Sequence, residues 1–195
     1  MIGTNTMKYR IININDISKS DYEYYYSLMS PDKKSRIEKY KNNDDKKRSI
    51  AGEMLARIML AEMCSINPKD IVYKLHENGK PYADNAKAEF NISHSGDYVI
   101  CAVNDSPVGA DIEQIRDLAV YPDKFFTDNE KDYIFNTNDD ENETNKRFFK
   151  IWTFKEAIIK LHGDALSNIN DYDCSDYKGN KRVILAENYI ATVVY

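Results

Sequence analysis

The stretch "RFFKIWTFKEAIIKLHG", Arg147 to Gly163, decides how this chain is read. Phe148, Phe149, Ile151, Trp152, Phe154, Ala157, Ile158, Ile159 and Leu161 cover most of a helix's circumference at the helical period, the pattern of an interior element. Into that apolar surface the sequence sets Lys155, Glu156 and Lys160. At about 100° per residue, Trp152, Glu156 and Lys160 share one arc, four residues apart. An exposed Glu-to-Lys helix pair contributes only a few tenths of a kcal/mol. An unpaired carboxylate at the margin of a buried stripe is costly, and a cation supplied from elsewhere would resolve it.

Upstream, "YRIININ" (Tyr9–Asn15) alternates as a first strand does. Two helices are expected after it: "SKSDYEYYYSLMS", and a basic stretch from Ser30 running into an apolar stripe of Ile50, Met54, Leu55, Ile58, Met59 and Ala61. "IVYKLH" reads as a strand, and "ENGKPYADNAKA" as turn chemistry punctuated by Gly79 and Pro81. "EFNISHS", "YVICAV" and "VGADIEQI" read as three short strands in quick succession. Helices are expected near Leu118–Phe125 and over Thr127–Asn136, the latter opened by a capping box of Thr127 and Glu130. "NTNDDENETNK" reads as an acidic solvated loop, and "KRVILA" and "YIATVVY" as closing strands. Strands and helices are spread evenly on either side of Asn104–Pro107. The expected architecture is therefore α/β (α+β): two similar half-domains, residues 1–104 and 105–195, with no repeat visible in the sequence.

With 195 residues, 42% apolar and 30% charged, the chain has the composition of a globular protein with a sizeable core. A net charge of −5 argues against a general nucleic-acid binder. No apolar run approaches the roughly 20 residues of a membrane span, and the N-terminus lacks a signal-peptide layout, so the cytoplasm is the expected compartment. Three scattered cysteines do not make a disulfide framework, and the three histidines share no metal-ligand spacing with them.

In "VGADIEQI", Asp111 and Glu113 are two residues apart and leave a strand on the same face. Alone, such a pair fits a solvated edge strand as well as a hard-cation site. With Glu156 and Lys160 it becomes a coherent set for a phosphate-bound Mg²⁺, an ion commonly shared between carboxylates and phosphate. A phosphate ligand needs an anion pocket. Ser93, His94 and Ser95 before Gly96 offer three hydrogen-bonding side chains, and Lys80 is presented between Gly79 and Pro81. Taken singly, His94 reads as a structural histidine and Lys80 as a turn lysine. Lys33, Lys34, Arg36, Arg48 and Arg57 likewise read as a solvated basic face.

The order "GKP", "FNISHSG", "VGADIE" and "FFKIWTFKEAIIK" resembles the 4′-phosphopantetheinyl transferases, specifically the surfactin-synthetase-activating (Sfp-type) group, from about Ser30 to Lys160. The pairing of G-x-D-I-E with W-x-x-K-E-x-x-x-K some forty residues on carries most of the specificity. The resemblance implies a monomer of two pseudo-twofold-related α/β halves. It implies that Asp111, Glu113 and Glu156 hold Mg²⁺ against the pyrophosphate of coenzyme A, and that Lys160 contacts the same phosphates. Lys80, Ser93 and His94 would line the coenzyme A site, with His94 and Arg48 at the 3′-phosphate and Lys33 and Arg36 near the adenine nucleotide. Lys155 belongs to the motif without an assigned role.

The implied reaction is attack by a carrier-protein serine on the β-phosphorus of coenzyme A, releasing 3′,5′-ADP. Glu156 and Lys160 would be the catalytic residues, the proton passing to Glu156 or to a water it positions. The partners would be apo acyl or peptidyl carrier proteins. The alternatives are a non-catalytic coenzyme A or carrier-binding relative, weakened by the intact acidic and basic positions, and another Mg²⁺-dependent phosphotransferase. No G-x-x-x-x-G-K-[ST] loop supports the latter. Two departures from the family stand out: Ala110 where many members carry Ile or Val, and a C-terminus shorter than that of many relatives.

Overall fold

The computed structural model describes residues 6–135, 140–186 and 188–195. In chain order it holds β1 (Lys8–Asn13), α1 (Lys19–Ser27), α2 (Pro31–Glu38), α3 (Asn43–Cys64), β2 (Tyr73–Leu75), β3 (Pro81–Ala83), β4 (Glu89–Ser95) and β5 (Tyr98–Asn104). These are followed by β6 (Gly109–Gln114), α4 (Asp128–Phe135), α5 (Glu141–His162), β7 (Lys181–Ala186) and β8 (Tyr189–Val194). One antiparallel sheet has the order β1-β5-β4 and the other β6-β8-β7, while β2 and β3 form a separate hairpin. Both larger sheets follow one plan: the last strand of the half lies between its first and its next-to-last. Each half also carries one helix of 22 residues, α3 or α5.

The strand periodicity explains the layering. In β5, Val99, Cys101 and Val103 join the core under α3, while Ile100 and Ala102 face the other way. Those two meet Ala110 and Ile112 of β6 and Tyr189, Ala191 and Val193 of β8. Successive side chains leave a strand on opposite faces, so a strand packed on both sides is apolar throughout. The order of layers is α3, first sheet, second sheet, α5. The β4–β5 turn needs Gly96, whose φ of +55° suits the first position of a two-residue hairpin loop.

Several elements differ from the sequence expectation. Three helices, not two, follow β1, because Asn42 turns extended (φ −93°, ψ 130°) and caps a new helix through its side chain. Pro81–Ala83, expected as turn, pairs with Tyr73–Leu75. Around Leu118–Phe125 only Asp123–Phe125 forms a short 3-10 turn. Pro122 disfavours helix at the residue before it, and Leu118, Tyr121 and Phe125 instead pack on Phe148 and Trp152. Within the expected acidic loop, Asn136–Asp139 lie outside the described residues, while Glu141–Lys146 are the first turns of α5, capped by Asp140. The Thr127–Glu130 capping box is present: Thr127 N–H donates to Glu130 Oε2 at 2.9 Å and Glu130 N–H to Thr127 Oγ1 at 3.3 Å.

The structure gives Lys155 a role. It is fully buried, and its ammonium donates to Glu130 Oε2 at 2.6 Å and to the Tyr172 carbonyl at 2.5 Å. Glu130 Oε1 in turn accepts the Cys174 N–H at 2.9 Å. Lys155 thus ties α5 to α4 and to the segment before β7, and does not face the acidic residues of β6. Removing one member of a buried pair strands the other charge, so Glu130→Ala is expected to lower unfolding free energy by about 3–5 kcal/mol. Urea denaturation checks this, and a loss under about 1 kcal/mol, the range of an exposed pair, would contradict it.

Candidate active site

Strand β4 offers alternating faces. Phe90 and Ile92 join the core beneath α3. Asn91, Ser93 and Ser95 face β6 and replace a backbone ladder with side chains. Asn91 Oδ1 accepts the Ala110 N–H at 2.9 Å, Ser93 Oγ donates to Asp111 Oδ1 at 2.7 Å, and Ser95 Oγ accepts the Gln114 N–H at 3.1 Å. Ser95 Oγ also donates to Glu113 Oε2 at 2.8 Å. The two sheets are joined here by polar side chains at every second residue. The expected Ser93–His94–Ser95 pocket is therefore split: the serines face β6 and His94 faces α3.

On β6, Gly109, Asp111 and Glu113 share the face toward α5, as the two-residue period predicts. Gly109 sets the distance: a Cβ there would lie 2.0 Å from the Ala157 carbonyl oxygen and 2.6 Å from the Leu161 nitrogen. The helix backbone thus rests directly on the strand, and one turn of α5 brings Glu156 and Lys160 to Asp111. Lys160 Nζ donates to Asp111 Oδ1 at 2.5 Å and to Ser93 Oγ at 3.1 Å, and lies 3.7 Å from Glu156 Oε2. Beside this contact, Thr153 of α5 and Thr192 of β8 share a buried hydrogen bond at 2.9 Å.

Charge in this cluster is unbalanced. Burial pushes the Glu156 carboxyl above the usual carboxylate range; Lys160 opposes the shift, and Asp111 and Glu113 add to it. For Lys160, burial works to lower the ammonium pKa, but Asp111, Glu156 and Glu113 outweigh it and the net shift is upward. Lys160 therefore stays charged among three carboxylates, of which Glu113 also meets Arg116 at 3.4 Å. Asp111 is 3% exposed, and its buried Oδ2 has no hydrogen-bond partner among the described residues. A carboxylate oxygen in that state is costly unless something positive reaches it. Among the described residues, no three His, Cys, Asp or Glu side chains close into a ready metal cage. The donor set still fits Mg²⁺, which takes one or two carboxylates and completes its shell with water and ligand phosphate.

On the other side of β4, a cleft of about 400 Å³ is lined by Lys33, Arg48, Gly52, Glu53, Ile92 and His94, among others. Arg48 donates to the Gly96 carbonyl at 2.6 Å and to Asp45 Oδ1 at 2.5 Å. Lys33 donates to Glu53 Oε2 at 2.6 Å. His94 is exposed at the cleft mouth, yet its imidazole pKa is lowered, first by desolvation, then by Arg48, with a smaller contribution from Lys160. Ser93, which meets Lys160, and His94, which lines the cleft, are consecutive on β4, so the two groups of residues lie on adjoining flanks of that strand. The structure thus gathers Lys33, Arg48 and His94 in one place and Ser93, Asp111, Glu113, Glu156 and Lys160 in another. Arg36 is exposed on α2 and, among the described residues, does not line the cleft. Lys80 donates to the carbonyls of Lys160 and Leu161 at the end of α5, at 2.7 and 3.4 Å. Asn91 was missed in the sequence, although a polar residue at every second position of "NISHS" marks it beside Ser93 and Ser95. Gly109 was quoted there without its reason.

Residues 16–106 match the family model described as 4′-phosphopantetheinyl transferase, N-terminal, and residues 107–191 match that of the 4′-phosphopantetheinyl transferase superfamily. The chain belongs to the 4′-phosphopantetheinyl transferase superfamily, in its Sfp-type group. It is 35% identical over 153 residues to the 4′-phosphopantetheinyl transferase gsp of Aneurinibacillus migulanus, covering 78% of this chain and 63% of that protein. It is 32% identical over 161 residues to the 4′-phosphopantetheinyl transferase Sfp of Bacillus subtilis (strain 168), covering 82% of this chain and 71% of that protein. The HetI transferase of Nostoc sp. is 28% identical over 166 residues, 81% of this chain and 69% of that protein. The chain thus spans under two thirds of the length of the gsp relative.

Because the obstacle to a side chain at Gly109 is helix backbone, Gly109→Ala cannot be absorbed by a rotamer change. It is expected to cost about 1–3 kcal/mol or more and to displace α5 from β6. Thermal or urea unfolding of the variant checks this, and an unchanged midpoint would contradict the close contact.

Proposed function

We propose that the chain transfers the 4′-phosphopantetheine group of coenzyme A to a serine hydroxyl of an apo acyl or peptidyl carrier protein, as a monomer in the cytoplasm with halves meeting near residues 104 and 105. The observation that carries the reading is the Asp111–Lys160–Glu156 cluster, in which the buried Asp111 Oδ2 has no hydrogen-bond partner among the described residues. Membership of the family supports it, as do relatives that bear the transferase name. Among the described residues, no helix is long and apolar enough to cross a membrane.

In this reading the nucleotide end of coenzyme A enters the cleft beside α3, where Arg48 and His94 meet its 3′-phosphate and Lys33 lies close by. The pyrophosphate crosses the end of β4 to Lys160. The serine oxygen forms a bond to the β-phosphorus, the bond from that phosphorus to the bridging oxygen breaks, and 3′,5′-ADP leaves with the electron pair. Lys160, held charged by its acidic neighbours, offers its ammonium to oxygens whose charge grows in the transition state. Glu156, at the edge of the cluster, or a water it positions, would take the serine proton. Asp111, Glu113 and Glu156 would hold Mg²⁺, which when bound would neutralise phosphate charge as a Lewis acid. Ser93 and Ser95 orient Asp111 and Glu113 for that role.

Intact-mass spectrometry of several apo carrier proteins after incubation with the protein, coenzyme A and Mg²⁺ tests the reading. One added phosphopantetheinyl group, lost with EDTA, is expected. Asp111→Asn and Glu156→Ala should each slow transfer by about a hundredfold or more while remaining folded. Near-normal rates for either variant at saturating Mg²⁺ would remove it from the site.

A further inference from the structure

The outer edge of β7 stands beside a cleft that the proposed reaction does not use. β7 borders its sheet, with β8 on one side and, among the described residues, no strand on the other. Just ahead of β7, Asn180 and Tyr195 exchange both backbone hydrogen bonds at 3.0 Å. In an antiparallel ladder such exchanged pairs recur at every second residue, so Arg182, Ile184 and Ala186 turn their backbone groups to β8. Lys181, Val183 and Leu185 turn theirs outward, where no backbone partner meets them among the described residues.

The side chains alternate in the same rhythm. Arg182 and Ile184 face β1 and the first sheet, whereas Lys181, Val183 and Leu185 line a cleft of about 540 Å³. Ile151 and Phe154 of α5 and Tyr133 of α4 wall it in. Leu185 is 72% exposed at the open edge. Natural edge strands are protected by charge, proline or a covering element. Both charges of β7 sit at its first two residues, and residues 183–186 carry none.

Two ammonium groups stand at the rim. Lys150 donates to the Tyr133 hydroxyl at 3.1 Å, and Lys181 lies over the Phe154 ring, 4.3 Å from its centre. Among the described residues neither pairs with a carboxylate. The two acids of the lining are already satisfied. Glu130 accepts from Lys155 and from the Cys174 N–H, and Asp173 accepts from the hydroxyls of Thr127 and Ser175. The cleft thus joins an apolar floor and unpaired strand backbone to a positive rim.

We propose that β7 is a docking edge for an extended acidic peptide segment of a partner protein. The segment adds a strand beside β7, its backbone pairing with Lys181, Val183 and Leu185. Its apolar side chains, at every second residue, enter the cleft against Tyr133 and Phe154, and its carboxylates reach Lys150 and Lys181. Main-chain pairing supplies the affinity, and the cleft with its two lysines supplies the selectivity. At about 100° per residue, Lys150, Ile151 and Phe154 leave α5 on the side away from Glu156 and Lys160. Docking there is independent of the transferase reading.

The probe is a panel of capped octapeptides in which valine, leucine or phenylalanine alternates with threonine and glutamate stands at both ends. Binding to the full chain is followed by fluorescence anisotropy, and exchange of the β7 amides by mass spectrometry. Saturable binding is expected, with slower exchange at Val183 and Leu185. Lys181→Glu, a change at an exposed residue, should weaken binding by about tenfold or more. Methylating the peptide nitrogens at every second residue should abolish binding in one register, the one facing β7, and spare it in the other. No saturable binding by any peptide at millimolar concentration would overturn the proposal. Equal binding in both methylation registers would make the cleft a side-chain pocket without strand addition, and would overturn it as well. Unweakened binding to Lys181→Glu, or equal binding of lysine-ended peptides, would remove the acidic partner. Dimerisation of the peptide-free protein in sedimentation, lost in Leu185→Ser, would give the edge to a second copy of the chain and also overturn the proposal.

Discussion

The backbone of α5 lies directly on β6 because Gly109 has no side chain, and the arrangement of the site depends on that contact. A strand can carry two acidic residues on one face only at every second position, and a helix can add two more charges to one stripe only a turn apart. Neither element alone makes a cluster. Pressed together at the distance Gly109 allows, Asp111, Glu113, Glu156 and Lys160 share one small volume, with Ser93 reaching in from β4. The apolar circumference of α5 follows from the same contact, since its remaining faces are enclosed by β8, α4 and the rings of Tyr121, Phe125 and Phe126, which pack on its Phe148 and Trp152.

Charge balance separates this cluster from two others of similar composition. Lys155 and Glu130 satisfy each other, with a carbonyl and an amide completing the set. Glu53 is matched by Arg57 and Lys33, and Arg57 spends its remaining donors on the carbonyls of Leu28, Pro68 and Ile71. Those are closed networks, and closed buried networks hold structure. In the cluster on β6, Asp111 and Glu156 share the ammonium of Lys160, Glu113 meets the more exposed Arg116, and among the described residues a buried oxygen of Asp111 has no hydrogen-bond partner. On the proposed function, that open valence is where a cation and an anionic ligand from outside the chain would bind.

Much of this was legible in the sequence, for reasons that can be named. The helical period of α5, the two-residue spacing of Asp111 and Glu113, and the capping box of Thr127 are local, and local geometry settles them. The similarity of the two halves lies in strand order and helix placement, which different side chains satisfy equally well. That leaves no repeat to read. Lys155 and Lys160 stand five residues apart on one helix, yet one faces Glu130 and the other Asp111. Only the packing of α4 and the strands decides between those fates. The helix expected near Leu118–Phe125 is reduced to the short turn at Asp123–Phe125, because Pro122 disfavours helix at the residue before it.

The central claim is that the open carboxylate valence at Asp111 couples a divalent cation to coenzyme A. Calorimetric titration of coenzyme A into the wild-type protein and into Asp111→Asn, each with and without Mg²⁺, measures that coupling directly. The account predicts that Mg²⁺ tightens binding by about tenfold or more in the wild type and leaves the variant unchanged. An equal response to Mg²⁺ in both proteins would contradict it.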